Sequence, residues 1–487
     1  MVPMQARKRK WTFHEALRWA VCTAAMTMLT LAPASAQGPT NTAYPGALPT
    51  ALLEGAPITN EMVLPIDLPT TLRLAGARNL DVQIARESLG EAEASRQSAV
   101  EQFFPWVSPG VGYHRRDGVA QAVPSGVISD AHFQSYSPGA ALTAQMVLGD
   151  AIYNSLVAKQ LVKASDQALE TQRQDTVLSA AQGYFDLVEA KALVEVSREA
   201  IQISQDYQQE LHAAVSAGIA FRGDELRVQT QTEQYKIGLE RGLEQQLVAS
   251  ASLTQVLHLD SRVELAPLDD GLMPLKLFLT NASVNALVDQ AMRTRPELKQ
   301  SQAFLAASRA AKTGAVYGPL IPSVGAQAFG GGLGGGPDSG PNHFGAEGDY
   351  TVGLSWRIGP GGLFDSGRVN ASKARLAAAQ FTEAKLKDTI ISQVVAGLVR
   401  VKSTAAQIDL AERNLNTASE TLKLTRQRKQ YGVGVVLEDI QAQQALTQAR
   451  SDYASAVAEN AKAQYALDRA TGSLAETQDR QGRGVGK

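Results

Sequence analysis

The segment Tyr350-Thr351-Val352-Gly353-Leu354-Ser355-Trp356-Arg357-Ile358-Gly359 alternates strictly. Tyr350, Val352, Leu354, Trp356 and Ile358 share one face, and Thr351, Gly353, Ser355, Arg357 and Gly359 share the other. A period of two is the signature of a β-strand with unlike faces. A matching segment begins at Tyr136: Tyr136, Pro138, Ala140, Leu142, Ala144 and Met146 alternate with Ser137, Gly139, Ala141, Thr143, Gln145 and Val147. The run from Trp106 alternates Val107, Pro109, Val111 and Tyr113 against Ser108, Gly110, Gly112 and His114. Segments of about ten residues with one apolar face and one small or polar face fit transmembrane β-strands. Tyr113, Tyr136, Tyr350 and Trp356 suit an interfacial aromatic girdle. A soluble antiparallel sheet has the same alternation.

The strands pair as two hairpins, one between about 106 and 147 and one between 322 and 359, with loops expected at 118–133 and 333–349. The second loop opens Gly330-Gly331-Gly332-Leu333-Gly334-Gly335-Gly336. No Gly-Lys-Ser/Thr follows and no helix begins there, so it is read as a flexible surface loop and not a phosphate cradle. Four strands cannot close a barrel, and an open edge in lipid leaves backbone groups unsatisfied. In a membrane these strands must be pooled with those of other copies.

The two hairpins belong to an internal duplication. At an offset of 214, Gly139 falls on Gly353, Gly183 on Gly397, Gly218 on Gly432, Asp224 on Glu438 and Leu253 on Leu467. At an offset of 216, Asn79-Leu80-Asp81-Val82 falls on Arg295-Pro296-Glu297-Leu298. The period is far too long for a solenoid. The expected units are a first repeat at 67–260, a connector at 261–283 with Pro267 and Pro274, a second repeat at 284–475 and a frayed polar tail at 476–487.

Each repeat reads as helix, β-hairpin, very long helix, glycine tip and return helix. The first helices are expected at 67–103 and 284–317, and the long ones at about 151–217 and 366–431. Leu178, Ala181, Phe185, Val188, Ala192, Val196, Ala200, Ile203, Tyr207, Leu211 and Ala214 form one stripe at steps of three and four. That spacing describes a nearly straight amphipathic helix, and some 65 residues reach about 100 Å. A solvent-exposed coiled-coil rod is the alternative for this segment alone.

The N-terminus reads as a secretory signal. Arg7-Lys8-Arg9-Lys10 precedes an apolar run from Trp19 to Leu31, and Ala34-Ser35-Ala36 fits the cleavage rule. Residues 37–66 then form an extended leader rich in Pro, Gly, Ala and Thr. Cys22 is the one cysteine and lies within the signal, so the exported chain can form no disulfide. Cleavage removes five basic and one acidic side chain and moves the formal net charge from −2 to about −6, which does not suit nucleic acid. No histidine pair has metal-ligand spacing, and no nucleophile motif or cofactor loop is present.

Several short motifs then resemble one family. Ala75 to Val82 and Ala291 to Leu298 are similar to Ala-x-x-x-Asn-Pro-x-Leu. Phe104-Pro105-Trp106-Val107 and Ile321-Pro322-Ser323-Val324 are similar to a Pro-x-Leu strand entry, and Leu363-Phe364-Asp365-Ser366-Gly367 to a Phe-Asp-Gly-Gly helix start. Gly432 to Glu438 followed by Ala442-Gln443-Gln444-Ala445-Leu446 is similar to Gly-x(5)-Asp with Ala-Gln-x-x-Leu. In this order, twice over, the chain resembles the TolC-like outer-membrane efflux and secretion channels across residues 60–475. Leu148-Gly149-Asp150 departs from the Phe-Asp-Gly-Gly form, with Asp150 and Asp365 expected as helix N-caps.

The resemblance implies a mainly α protein with transmembrane β: a long α-helical barrel crossing the periplasm, and four strands per chain in a shared twelve-stranded barrel. It implies a homotrimer in outer-membrane lipid, working with a periplasmic adaptor and an inner-membrane pump as a passive duct without catalysis or cofactor. A fibre-forming surface protein and a soluble periplasmic adaptor are the competing readings. In the family the hairpin tips constrict the tunnel. That points to Asp224, Glu438 and Asp439 as carboxylate rings, with Arg222, Arg426, Arg428 and Lys429 as basic partners. Gly218-Ile219 and Gly432-Val433 are then the expected adaptor contacts. A second acid three residues beyond the first is replaced here by Gln441.

Overall fold

The computed structural model describes residues 62–121, 126–260, 262–268, 273–275, 277, 283–337, 343–430 and 435–474. All lie in one unit, Asn60–Lys487. The signal, most of the leader, Gly432, Val433 and the tail after 474 fall outside the described residues.

Strand β1 (Met62–Ile66) leads into α1 (Leu68–Arg78) and α2 (Leu80–Glu101). The hairpin β2 (Trp106–Gln121) and β3 (Ile128–Val147) runs without a linker into α3 (Leu148–Ser216), which returns as α4 (Arg222–Leu257). After β4 (Val263–Pro267) the order repeats: α5 (Val284–Thr294), α6 (Pro296–Tyr317), a 3₁₀ turn (Gly318–Leu320), β5 (Ser323–Pro337), β6 (His343–Ser355), α7 (Ser366–Gln430) and α8 (Val436–Thr471).

The repeat is a repeat of packing. Ala75, Ala180, Tyr184, Leu187 and Leu253 meet in one core cluster. Their counterparts Ala291, Val394, Leu398, Val401 and Leu467 meet in another. Tyr465 of α8 crosses into the first cluster, its ring 5.8 Å from that of Phe185. Ionic contacts join the repeats along α3 and α8. Arg450 reaches Glu199 at 2.6 Å, and Lys462 reaches Asp186 at 2.6 Å and Glu189 at 3.1 Å. Arg469 reaches Asp175 at 2.8 Å and Glu297 at 2.5 Å. Burial opposes the charge on Lys462, but its bonds to Asp186 and Glu459 outweigh that, and its pKa is raised.

Four expectations are corrected. The helices at 67–103 and 284–317 are each two helices. At the first break the Asn79 side chain accepts from the Asp81 amide at 2.8 Å and the Val82 amide at 3.3 Å. It thereby caps α2, and it donates to the Val256 carbonyl at 3.0 Å. At the second, Pro296 occupies the first turn, and Arg295 instead binds Glu297 and Gln393. The connector, expected to be irregular, is not wholly so, since its β4 pairs in parallel with β1 at the end of the extended leader. Asp150 does not cap α3. Val147 holds the cap position without a side-chain bond, and Asp150 pairs with Arg368 at the start of α7. Asp365 does cap: it accepts from the Arg368 amide at 2.9 Å and the Gly361 amide at 2.9 Å, which hold its carboxyl below the usual range.

The fourth correction concerns Gly330–Gly336, which is strand, not loop. Strand β5 lies between β3 and β6 and needs glycine there. Tyr136 and Phe344 stack with centroids 6.3 Å apart, and a Cβ at Gly334 would overlap both rings. Aromatic side chains of the neighbouring strands thus cover the bare backbone.

Candidate functional site

The sheet is antiparallel in the order β2-β3-β5-β6. Its register puts Tyr113, Tyr136, Gly334 and Phe344 in one row. On the same face, rows run through Val107, Leu142, Ala328 and Tyr350, and end at Met146, Val324 and Leu354. From Phe344 to Leu354 is about 33 Å along the strand, or about 25 Å vertically at a typical tilt, the height of an outer-membrane apolar band. Val352 and Tyr350 remain 80% and 79% exposed, as lipid-facing side chains should. The opposite face carries Ser108, Thr143, Gln327 and Thr351, with His114, Arg116, Glu347 and Asp349. Among the described residues, no helix is long and apolar enough to cross a membrane, and no three metal-ligating side chains converge.

At the far end, α3 and α4 close the first tip. Gly218 follows the last turn of α3 with φ at 73°. That is the left-handed region, which favours glycine. The turn is sealed by the Ile219 amide donating to the Ala214 carbonyl at 2.9 Å. Ile219 and Phe221 are 83% and 76% exposed. The second tip re-enters helix at Val435, and Val435 and Leu437 are exposed as well.

Asp224 and Glu438 take equivalent positions. Their amides donate to the carbonyls of Phe221 and Val435, each at 3.0 Å. Neither Phe221 nor Val435 offers a capping side chain, so an acid in the first turn also offsets the helix dipole. Glu438 pairs with Arg428, one of the four candidate basic partners, at 3.2 Å. Asp224 pairs with Arg227 at 3.1 Å, a residue of its own helix and none of those expected. Arg222 is exposed, and the Lys429 side chain lies outside the described residues.

Asp439 differs from both. It is 2% exposed and accepts from Gln443 at 3.0 Å. Its charge acts on Tyr207, whose hydroxyl is pushed well above its usual pKa, first by burial, then by Asp439 and Asp224, with Arg426 opposing. Within the protomer Asp439 therefore faces a helix–helix contact and not open solvent. Tyr207, Leu211, Val228 and Ile440 form a cluster that joins the two tips, and Gln444 donates to Gln231 at 2.5 Å beside it. His212 bonds Glu225 at 2.6 Å across the first tip. The sequence did signal Tyr207, as part of the helical stripe, but periodicity cannot say that it meets the other repeat.

A lipid-height sheet with two unpaired edges, continuous with helices about 100 Å long, defines an outer-membrane channel protein with a large periplasmic helical part. The outer membrane efflux protein profile matches residues 71–257 and 287–473. The chain belongs to the outer membrane efflux protein family, and it is an outer-membrane efflux channel protein. Solved structures share the fold. A membrane protein from Pseudomonas aeruginosa aligns at TM-score 0.70 and 20% identity over 83% of this chain and 93% of its own. The CmeC outer membrane channel of Campylobacter jejuni aligns at 0.67 and 18%, over 86% and 88%. The MtrE outer membrane channel of Neisseria gonorrhoeae, in an open state, aligns at 0.66 and 16%, over 84% and 89%. No curated protein sequence matches the chain significantly.

Proposed function

We propose that the chain forms a homotrimeric passive duct, the outer-membrane component of a tripartite efflux pump or a type I secretion system. The carrying observation is that β2 and β6 each leave one edge unpaired at lipid height. Unpaired backbone groups are costly in lipid. Three copies supply twelve strands, which close a barrel wide enough for a conduit. An inner-membrane pump provides the energy and a periplasmic adaptor joins pump to duct. The four-stranded sheet between long helices favours this reading over a fibre or a soluble adaptor.

The tips carry docking and gating. Gly218 and Ile219, with Gly432 and Val433 of the second tip, receive the adaptor, and the exposed Ile219 and Phe221 side chains support this. Under three-fold symmetry Asp224 and Glu438 each form a carboxylate ring, with Arg428 holding Glu438 when the tunnel is narrow. Asp439 contributes through Tyr207 and the joint between hairpins, not as a ring. That an open state has been described for MtrE supports a tunnel whose periplasmic end moves.

Membrane fractionation tests the duct: the protein is expected in detergent-extracted outer membrane, and recovery as a soluble periplasmic protein overturns the reading. Planar-bilayer recording tests the gate. Glu438→Ala and Asp224→Ala are each expected to raise conductance and reduce cation preference; no change in either removes the rings.

A further inference from the structure

The two free sheet edges carry opposite charges on the same face. Direct cross-strand partners point to the same side of a sheet. Row by row, the register puts Ser108, Ala141, Phe329 and Asp349 on one face, and Gly110, Gly139, Gly331 and Glu347 on that same face. Counting in twos along β2, His114 and Arg116 share it. This face looks into the lumen, away from Tyr113, Tyr350 and Val352. Acids thus line the β6 edge and bases the β2 edge, with the whole sheet between them. Within one chain they cannot meet.

The occupant of each edge is a second copy of this chain, and the edges specify its register. Strands β2 and β6 run in opposite directions, so β6 of one copy and β2 of the next form an antiparallel pair. Within the protomer Tyr113 and Phe344 share a row. If that row ran straight on across the seam, Phe344 would face Tyr113 of the next copy and leave much of both edges unpaired. Sliding β6 by six residues brings Tyr350 opposite Tyr113 and lets all of β6 (His343–Ser355) pair within β2 (Trp106–Gln121). A six-residue shift is about 20 Å of climb across four strands occupying about 19 Å, a tilt near 45°, at the upper end of the barrel range. A four-residue shift gives about 35° and is also geometrically allowed. Charge separates the two. At six residues Glu347 faces Arg116 and Asp349 faces His114. At four residues Glu347 faces His114, but Arg116 faces Gly345 and Asp349 faces Gly112, so one acid–base pair forms in place of two and the arginine is left without an acid.

We propose that the protomers join through a β6–β2 seam with Tyr350 opposite Tyr113, closed on its lumen side by Glu347–Arg116 and Asp349–His114 contacts between copies. This deepens the oligomeric duct reading and rests on it. The pairs fix the register, which the small and glycine-rich lumen face would otherwise specify weakly.

The test uses the full chain with Cys22→Ser, which removes its one cysteine. Pairs of cysteines are introduced, and outer membranes are oxidised with copper phenanthroline before denaturing electrophoresis. Tyr350→Cys with Tyr113→Cys is expected to give covalently linked copies in high yield, and Tyr350→Cys with Val111→Cys several-fold less. The reverse ranking overturns the register. The oligomer is also sized by light scattering in detergent: assembled protein without either cross-link overturns the seam alone, while monomer only overturns the duct reading as well. Glu347→Arg is expected to lower the temperature at which the oligomer dissociates, and adding Arg116→Glu to restore it. A double variant no better than the single overturns the ion pair.

Discussion

Replacing Arg469 by Met removes the cation that holds α8, α3 and α6 together. The guanidinium is 6% exposed and binds Glu297 of α6 at 2.5 Å and Asp175 of α3 at 2.8 Å. Burial alone would lower its pKa, yet the bond and charge of Glu297 raise it. Asp175 is half exposed, so its share is small, under about 1 kcal/mol. Glu297 is well covered and, among the described residues, keeps Arg295 at 2.9 Å. Stranding one partner of a buried pair costs about 3–5 kcal/mol; with Arg295 retained, the lower end, about 3 kcal/mol, is expected. The sign of the pH dependence follows from Glu297. Burial pushes its pKa up, but Arg469 and Arg295 outweigh that and leave it below the ordinary value. A depressed carboxylate contributes stability above its unfolded pKa of about 4.3, and that contribution disappears as pH falls through the folded value. The penalty of Arg469→Met is therefore full at pH 7.5 and shrinks by pH 3. Urea unfolding in detergent, followed by circular dichroism at one fixed protein concentration, measures it, because assembly makes stability concentration-dependent. A loss under about 0.5 kcal/mol at pH 7.5, within the ordinary range for surface substitutions, would refute the reasoning. So would a loss unchanged at pH 3.

Three further outcomes follow from the packing. An added Cβ meets Leu253 at 3.3 Å from Gly183 in one repeat and Leu467 at 3.2 Å from Gly397 in the other. Gly183→Val and Gly397→Val should therefore destabilise alike, by about 1–3 kcal/mol each; urea midpoints differing widely between them would contradict the paired cores. Asp365→Ala should cost about 1 kcal/mol by uncapping α7, with Asp365→Asn close to wild type, as thermal melts would report. Gly334→Val should prevent assembly of heat-stable oligomer in outer membranes, since its side chain would overlap Tyr136 and Phe344; normal oligomer yield would argue against the covered-glycine strand.

Much of the fold was legible because periodicity survives translation into structure. The stripe from Leu178 to Ala214 and the alternation at Tyr350 each encode one element's own geometry, and the offset of 214 exposed the duplicated cores through Gly183/Gly397 and Leu253/Leu467. The misreadings share one cause. Gly330–Gly336 is a loop by local propensity and a strand because Tyr136 and Phe344, distant in sequence, cover it. Asn79 and Arg295 occupy aligned positions and break their helices by different means, a side-chain cap in one case and Pro296 with a buried ion pair in the other. Asp224, Glu438 and Asp439 were indistinguishable as acids near a tip.

Apart from the glycine-rich half of β5, the elements, their order, their duplication and the apolar band are set by the chain alone, because each depends on residues within a few turns or one strand. It took the assembled fold to turn Asp439 inward toward Tyr207 while Glu438 meets Arg428, and to let Arg469 tie α8 to α3 and α6. The same holds for the sheet, where β3 and β5 fill the middle while β2 and β6 keep free edges. Those facts depend on which distant segments meet, and burial and charge are properties of the meeting, not of the residue.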